Sequence, residues 1–243
     1  PGQFPFQVPT KVIFGPGVLA GAGQSCAPYG RRALIVTGQE STKASGALVD
    51  LQESLNQAGV TSDVYDQVTP NPTCRLVDAG VKQARESGAD VIIGIGGGSA
   101  LDAAKAIAVL VGNEGSAAQY LGAEQPPRAG LPCVTIPTTA GSGAEVTNNA
   151  VLTDTERRLK TSIRGEHLWP RLALVDPLLT VTVPKELTAA TGMDALTQHI
   201  EVLASLNANP VTDALAVRGA ALIFHYLPRA VDNPDDLEAR TNL

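Results

Sequence analysis

Residues 90–105 read Asp-Val-Ile-Ile-Gly-Ile-Gly-Gly-Gly-Ser-Ala-Leu-Asp-Ala-Ala-Lys, an apolar run that breaks on glycines and resumes as a helix-forming segment. The stretch Val91 to Ile95 carries no polar side chain on either face, the pattern of a parallel strand covered on both sides. From Ser99 to Val111 the chain is rich in alanine, the best helix former. Between the two, glycines remove the Cβ atoms that would hold a ligand off the backbone, and the first amides of the helix have no partner within it. Such a joint is an anion cradle and suits a pyrophosphate. Ser99 follows the third glycine, so the spacing is not G-x-G-x-x-G, and no G-K-[ST] follows, which excludes a nucleoside-triphosphate loop. A tight strand-to-helix turn that binds nothing is the competing reading. Asp102 and Lys105, three apart, read equally as a solvated helix pair.

The remaining composition narrows the class. A chain of 243 residues is long enough for one large or two ordinary domains. A net charge of -6 and a pI near 5.1 count against nucleic acid or an acidic membrane surface as partner. Cys26, Cys74 and Cys133 are odd in number and show no paired spacing, so reduced thiols and a cytoplasmic location are expected, with no zinc framework. No apolar run approaches the roughly 18 residues of a membrane span, and no signal-peptide pattern is present.

Strand and helix patterns then alternate along the chain. Strands are expected over Gln7–Gly15, Arg31–Thr37, 62–68, 91–95 and Leu131–Thr138, with helices over Ala47–Ala58, 74–87 and 99–111. This order predicts an α/β fold, a Rossmann-like and mostly parallel sheet with helices on both faces, whose ligands bind beyond the strands' carboxyl ends. After Leu172-Ala173-Leu174-Val175-Asp176-Pro177 only helical periodicity remains: Lys185–Thr191, Asp194–Leu206, Val211–Leu227 with a proline stop at Pro228, and Asp235–Leu243. Two domains are therefore expected, 1–180 for dinucleotide binding and 181–243 as the first part of an all-helical domain. The last helix opens on an acidic first turn within about two turns of the chain's end, so the helical domain is expected to be incomplete.

Several segments together resemble one family. The loop Gly96-Gly97-Gly98-Ser99 with Asp102 and Ala104-Lys105, the run Pro137-Thr138-Thr139-Ala140-Gly141-Ser142-Gly143-Ala144-Glu145-Val146-Thr147, and Thr191-Gly192-Met193-Asp194-Ala195-Leu196-Thr197 closing on Glu201 resemble the iron-containing, group III alcohol dehydrogenases. Pro9-Thr10-Lys11-Val12-Ile13-Phe14-Gly15 and Val175-Asp176-Pro177 fit the same pattern. The resemblance implies hydride transfer between NAD or NADP and a small alcohol or aldehyde, assisted by a divalent metal (Fe or Zn), at a cleft between the domains of a homodimer or larger assembly. By motif position it assigns the pyrophosphate to Gly97, Gly98 and Ser99, with Asp102 on the same helix. It puts Asn71 by the adenosine side or cleft wall, Thr138, Thr139 and Ser142 on cofactor ribose and phosphates, and Lys160 near the nicotinamide ribose. Small hydroxyl residues after a strand suit such oxygens. No catalytic residue is assigned.

Two positions bear on specificity. The second strand ends Thr37-Gly38-Gln39-Glu40-Ser41, where NAD-preferring relatives commonly carry an acidic residue after the threonine. Gly38 leaves no carboxylate to repel a 2′-phosphate, so NADP tolerance is expected, with Ser41, Glu40 and Lys43 nearby. The family's first metal pair is an aspartate and a histidine four residues on. Here Asp194 is followed at that spacing by Gln198, about 40° away around a helix, and by His199 a further ~100° round. An amide oxygen is a poorer ligand for iron or zinc than imidazole. Asp194 also reads as a helix N-cap, and His167, His199 and His225 as structural histidines. The family's two remaining histidine ligands fall outside these residues. A metal-independent enzyme of the maleylacetate reductase type, a dehydroquinate-synthase-like enzyme and a non-catalytic dinucleotide-binding fragment are the alternatives.

Overall fold

The computed structural model describes residues 3–122 and 125–243. Strand β1 (Lys11–Phe14) leads through a 3-10 turn to α1 (Ala22–Cys26) and β2 (Arg32–Gly38). The short α2 (Ser41–Ala44), then α3 (Ala47–Gln57), β3 (Thr61–Val68), α4 (Cys74–Glu86), β4 (Val91–Gly96) and α5 (Gly98–Val111) follow. After α6 (Ala117–Tyr120) come β5 (Cys133–Pro137), a hairpin of β6 (Asn149–Asp154) and β7 (Leu159–Arg164), and β8 (Leu172–Val175). Six strands form one sheet in the order β1-β8-β5-β4-β2-β3, every neighbouring pair parallel.

The expected central strand is the centre of that sheet: all of β4 is buried. Helix α5 lies on it through alanines, and a Cβ on Gly94 would come within 2.6 Å of the Ala104 Cβ. Gly80 lets α4 close on α5, where a Cβ would meet Ile107 Cδ1 at 2.3 Å. Small residues thus let helix and sheet approach closely, and Leu101 and Ile107, almost wholly buried, each contribute on the order of 1.5–3 kcal/mol of apolar burial.

The hairpin β6–β7 is antiparallel, stands apart from the main sheet and has no counterpart in the sequence expectation. Its six-residue strands show no clean period-2 pattern in sequence. Strand β1 is shorter than expected, because residues 7–10 carry no ladder and Pro9 offers no amide donor.

The chain divides into two compact units, one of residues 10–137 and 144–176, the other of residues up to Pro9, 138–143 and 177–243. In the second, α7 (Lys185–Ala204), α8 (Pro210–Asp232) and α9 (Leu237–Asn242) pack together. Two expectations are corrected there. The segments 185–191 and 194–206 form one helix, so Asp194 lies mid-helix and is no N-cap. Gly192 does not break it: a Cβ there would sit 2.4 Å from Leu227 Cδ1, so the glycine admits the α8 side chain. Pro228 does not stop α8, which continues to Asp232. The turn beyond it is held by Arg229, whose guanidinium donates to Asp236 at 2.9 Å and Glu238 at 2.7 Å, while Asn233 N donates to its carbonyl. At the other end Asn209 and Thr212 form a capping box that spans Pro210 at the first helical position. Arg240 of α9 is buried and donates to Thr188 Oγ1 at 2.9 Å, tying α9 to α7. Among the described residues no helix is long and apolar enough to cross a membrane.

Candidate dinucleotide site

From β2 the chain moves outward to the edge strand β3; from β4 it moves the other way, to β5. The strand order reverses between β2 and β4, whose register pairs Thr37 with Ile95. Their carboxyl ends therefore flank the crevice where parallel sheets take ligands. Gly96 has φ +143, a conformation that favours glycine, and a Cβ there would lie 2.9 Å from the Ala100 Cβ. Gly97 is the extended N-cap of α5, and Gly98 and Ser99 form its first turn, half-buried. The helix geometry leaves their amides without intrahelical acceptors and puts the positive end of the α5 dipole in the crevice.

At the end of β2, the buried hydroxyls of Thr37 and Thr42 hydrogen-bond at 2.7 Å and pin α2 to the strand, leaving Ser41 exposed. Gly38 has room beside it: a Cβ would make only an ordinary contact, 3.7 Å from the Val68 carbonyl. Lys43 is neither lone nor aimed at a ligand here. It pairs with Asp66, and that hydrogen bond holds the Asp66 carboxyl below the usual range.

Asn71 and Lys160 meet. Lys160 Nζ, on β7, donates to Asn71 Oδ1 at 2.7 Å, and Asn71 holds φ +55. Behind them Thr153 N donates to the Pro72 carbonyl at 2.9 Å and Thr73 bridges Thr153, so β6 is stitched to the Asn-Pro-Thr loop. Thr73 also caps α4 through Leu76 N.

The solvated-pair reading of Asp102 and Lys105 is corrected by burial. The Lys105 side chain is fully enclosed, and its ammonium lies 3.0 Å from Asp102 Oδ1. Asp102 Oδ2 accepts from Val151 N at 3.1 Å. Glu145, which follows the hydroxyl-rich loop, is a group the sequence reading passed over. Burial raises its carboxyl above the ordinary range, with Lys105 opposing. It is the sole charged residue between Leu131 and Thr153, a signal that was there to be read.

Thr138, Thr139 and Ser142 lie in the loop after β5, the two threonines half-buried and Ser142 exposed. Gly141 of that loop abuts α7, where a Cβ would come within 2.8 Å of the Thr191 Cβ. On α7, Gln198 Nε2 donates to Asp194 Oδ2 at 3.0 Å and reaches the Gly141 carbonyl at 3.5 Å. His199 is turned elsewhere, its ring against the Gly219 backbone of α8, where a Cβ would come within 2.3 Å of Nε2. His167 is exposed, and His225 makes an edge contact with Tyr226. Among the described residues no three His, Cys, Asp or Glu side chains group as a metal site. Asp194 and Gln198 alone do not fit a bound iron or zinc ion, which takes at least three protein ligands in such sites.

Comparison with known proteins accounts for this arrangement. Residues 9–177 match the family model "Iron-containing alcohol dehydrogenase", and residues 188–243 match "Fe-containing alcohol dehydrogenase family, C-terminal". The chain belongs to the iron-containing alcohol dehydrogenase family. Within that family it is 41% identical over 239 residues to alcohol dehydrogenase 4 of Schizosaccharomyces pombe, covering 98% of this chain and 56% of the relative. To the NAD-dependent methanol dehydrogenase of Bacillus methanolicus it is 38% identical, covering 97% of this chain and 62% of the relative. The sulfoacetaldehyde reductase of Bifidobacterium kashiwanohense, solved in complex with NAD+, superposes with a TM-score of 0.95 at 35% identity, over 100% of this chain and 64% of that one. The chain thus spans between 56% and 63% of the length of these and similar curated relatives, less than two thirds.

Proposed function

We propose that this chain carries the dinucleotide site of an oxidoreductase that moves a hydride between NAD or NADP and a small alcohol or aldehyde, with a divalent metal assisting in the complete protein. The observation that carries the proposal is the strand–glycine–helix joint at 94–99, set where the sheet order reverses. In this reading the amides of Gly97, Gly98 and Ser99 take the pyrophosphate, and the α5 dipole offsets its charge. Gly38 and Ser41 border the adenosine ribose, Asn71 and Lys160 the far side of the cofactor, and Thr138, Thr139 and Ser142 offer oxygens to ribose and phosphate. Asp102 belongs to the same set through α5. When bound, the nicotinamide ring supplies or accepts the hydride. The protein's own contribution is to fix the dinucleotide and to keep its charged middle on backbone donors rather than in water.

Cofactor choice follows from Gly38. The absence of a carboxylate there supports acceptance of NADP as well as NAD. Asp194 and Gln198 stand as the metal-side residues, with His199 the alternative that its packing on α8 disfavours. No chemical step is assigned to a metal on two donors. The same reading carries a cytoplasmic location and a homodimer or larger assembly, supported by three free cysteines and by an open sheet edge at β1 with Val12 and Phe14 exposed.

Titration with NADH and NADPH, followed by nicotinamide fluorescence, tests the site directly. Saturable binding of either is expected, and absence of both removes the proposal. For the intact protein, aldehyde reduction measured with and without chelator separates the metal-assisted enzyme, which loses activity, from a metal-independent one, which keeps it. A second reading, dinucleotide binding without turnover by these residues, is favoured by the two-donor set. Binding with no cofactor oxidation would select it.

A further inference from the structure

We propose that Lys105 is a positioning residue for the dinucleotide site: its buried ammonium fastens the β6–β7 hairpin to α5 and thereby sets Lys160 against Asn71. The inference rests on the dinucleotide reading above. It starts from the energetics of the lysine itself. A buried ammonium costs several kcal/mol unless its protons and charge are answered. Here the answer comes from one stretch of chain: the Ala144 carbonyl at 2.8 Å, Thr147 Oγ1 at 2.9 Å and the Asn149 carbonyl at 2.5 Å, with the Asp102 carboxylate at 3.0 Å. Asp102 adds Val151 N through its second oxygen. One turn of α5 therefore grips positions 144, 147, 149 and 151 in succession.

That grip falls where the fold needs it. The hairpin pairs with no strand of the main sheet, and two strands alone are marginal in water. Ala150, Leu152 and Ile163 bury one face of it in the main core, and its placement along α5 is set by polar tethers: the α5 turn at its near end, Gly122 N on the Ser162 carbonyl, and the Pro72 and Thr73 contacts of Thr153 further along. Thr153 is the register partner of Lys160, and Pro72 follows Asn71. The helix whose first turn forms the glycine cradle thus also places, through Lys105, the residue pair at the other edge of the site. Three protons directed at separate oxygens suit an ammonium better than the flat fork of arginine.

The test compares wild type with Lys105→Met and with the milder Thr147→Val, reading hydrogen exchange of the 149–164 hairpin and NADH affinity by fluorescence. Lys105→Met should speed hairpin exchange and raise the NADH Kd by about tenfold, and Thr147→Val by about threefold, with exchange in β4 unchanged. A third variant, Lys160→Met, should raise the Kd without loosening the hairpin, and adding Lys105→Met to it should cost little more affinity. A loosened hairpin with unchanged affinity overturns the proposal, as does lost affinity with the hairpin still protected. If Lys105→Met does not fold, Thr147→Val decides by the same criteria. Should wild type bind neither NADH nor NADPH, the dinucleotide reading has failed. The exchange data then judge the fastening alone, and an unloosened hairpin in Thr147→Val overturns it.

Discussion

Lys160 Nζ and Asn71 Oδ1 hydrogen-bond at 2.7 Å although 89 positions separate them in the chain. One residue comes from the hairpin, the other from the loop after β3. Asn71 also holds φ +55, which asparagine tolerates and most residues do not.

The pair separates backbone from side-chain effects. Asn71→Gly keeps the backbone conformation and removes only the amide, whereas Asn71→Ala adds strain of roughly 1 kcal/mol. Both should weaken NADH binding to a similar degree, several-fold, while Asn71→Ala alone lowers the melting temperature measurably. Equal melting temperatures for the two would show that the left-handed backbone carries no strain.

Gly38→Asp tests cofactor choice. The added Cβ meets nothing closer than 3.7 Å, so the fold should be unaffected. A carboxylate there repels a 2′-phosphate and accepts from ribose hydroxyls, so NADPH affinity should fall by about tenfold or more while NADH affinity holds or improves. Paired titrations with the two cofactors give the ratio, and an unchanged ratio places the 2′ position elsewhere.

These positions differ in how legibly the sequence announced them. The cradle was readable because its signals are local: a buried-type strand, glycines and an alanine-rich helix lie contiguous in 16 residues. The Asn71–Lys160 contact was not, because the hairpin that delivers Lys160 lacks alternation in sequence and takes its place from core packing and from contacts with α5 and the Asn-Pro-Thr loop. The solvated-pair reading of Asp102 and Lys105 stood open because charge three residues from opposite charge looks alike on a surface and in a core. Burial separates the two, and a sequence does not print it. On α7, Gly192 looked like a helix boundary, whereas the cause of that glycine is the Leu227 side chain of another helix.

The cysteines fix a pH dependence. Burial pushes Cys26 and Cys133 up to about 12 and Cys74 up to about 11, from an ordinary 9.0. A group whose folded pKa is raised lends stability that is full below its unfolded value and lost as pH rises through the folded one. The urea midpoint should therefore decline above pH 9.0 and continue falling towards 12, and replacing Cys26 by alanine should flatten that decline. At about pH 8 a thiol reagent should label the native protein slowly and the unfolded protein at once.

Close packing of α5 on β4 gives a stability test. Gly94→Ala drives a methyl to 2.6 Å from the Ala104 Cβ, an overpacking cost of about 1–3 kcal/mol. Ala104→Gly in the same molecule should restore much of the loss despite glycine's poor helix propensity, because it removes the clashing atom. Thermal melts of the single and double variants measure the coupling, and simple additivity of the two losses would mean that helix and strand separate freely.

The Asp194–Gln198 pair yields a prediction about metal. In the present arrangement the Gln198 amide donates to the Asp194 carboxylate, so a metal approaching Asp194 must displace that bond and gains in return a neutral oxygen at most. Gln198→His substitutes an imidazole one helical turn from the carboxylate, on the same face, a spacing that lets both groups reach one ion. With two of the three protein ligands of a zinc site supplied, zinc should bind only weakly, so millimolar zinc should raise the melting temperature of Gln198→His by about a degree and leave wild type unmoved, since only binding to the folded state stabilises it. Asp194→Ala added to Gln198→His should abolish the shift. If wild type itself shifts with zinc and loses the response on Asp194→Ala, the amide is a working ligand and the two-donor set is sufficient to bind.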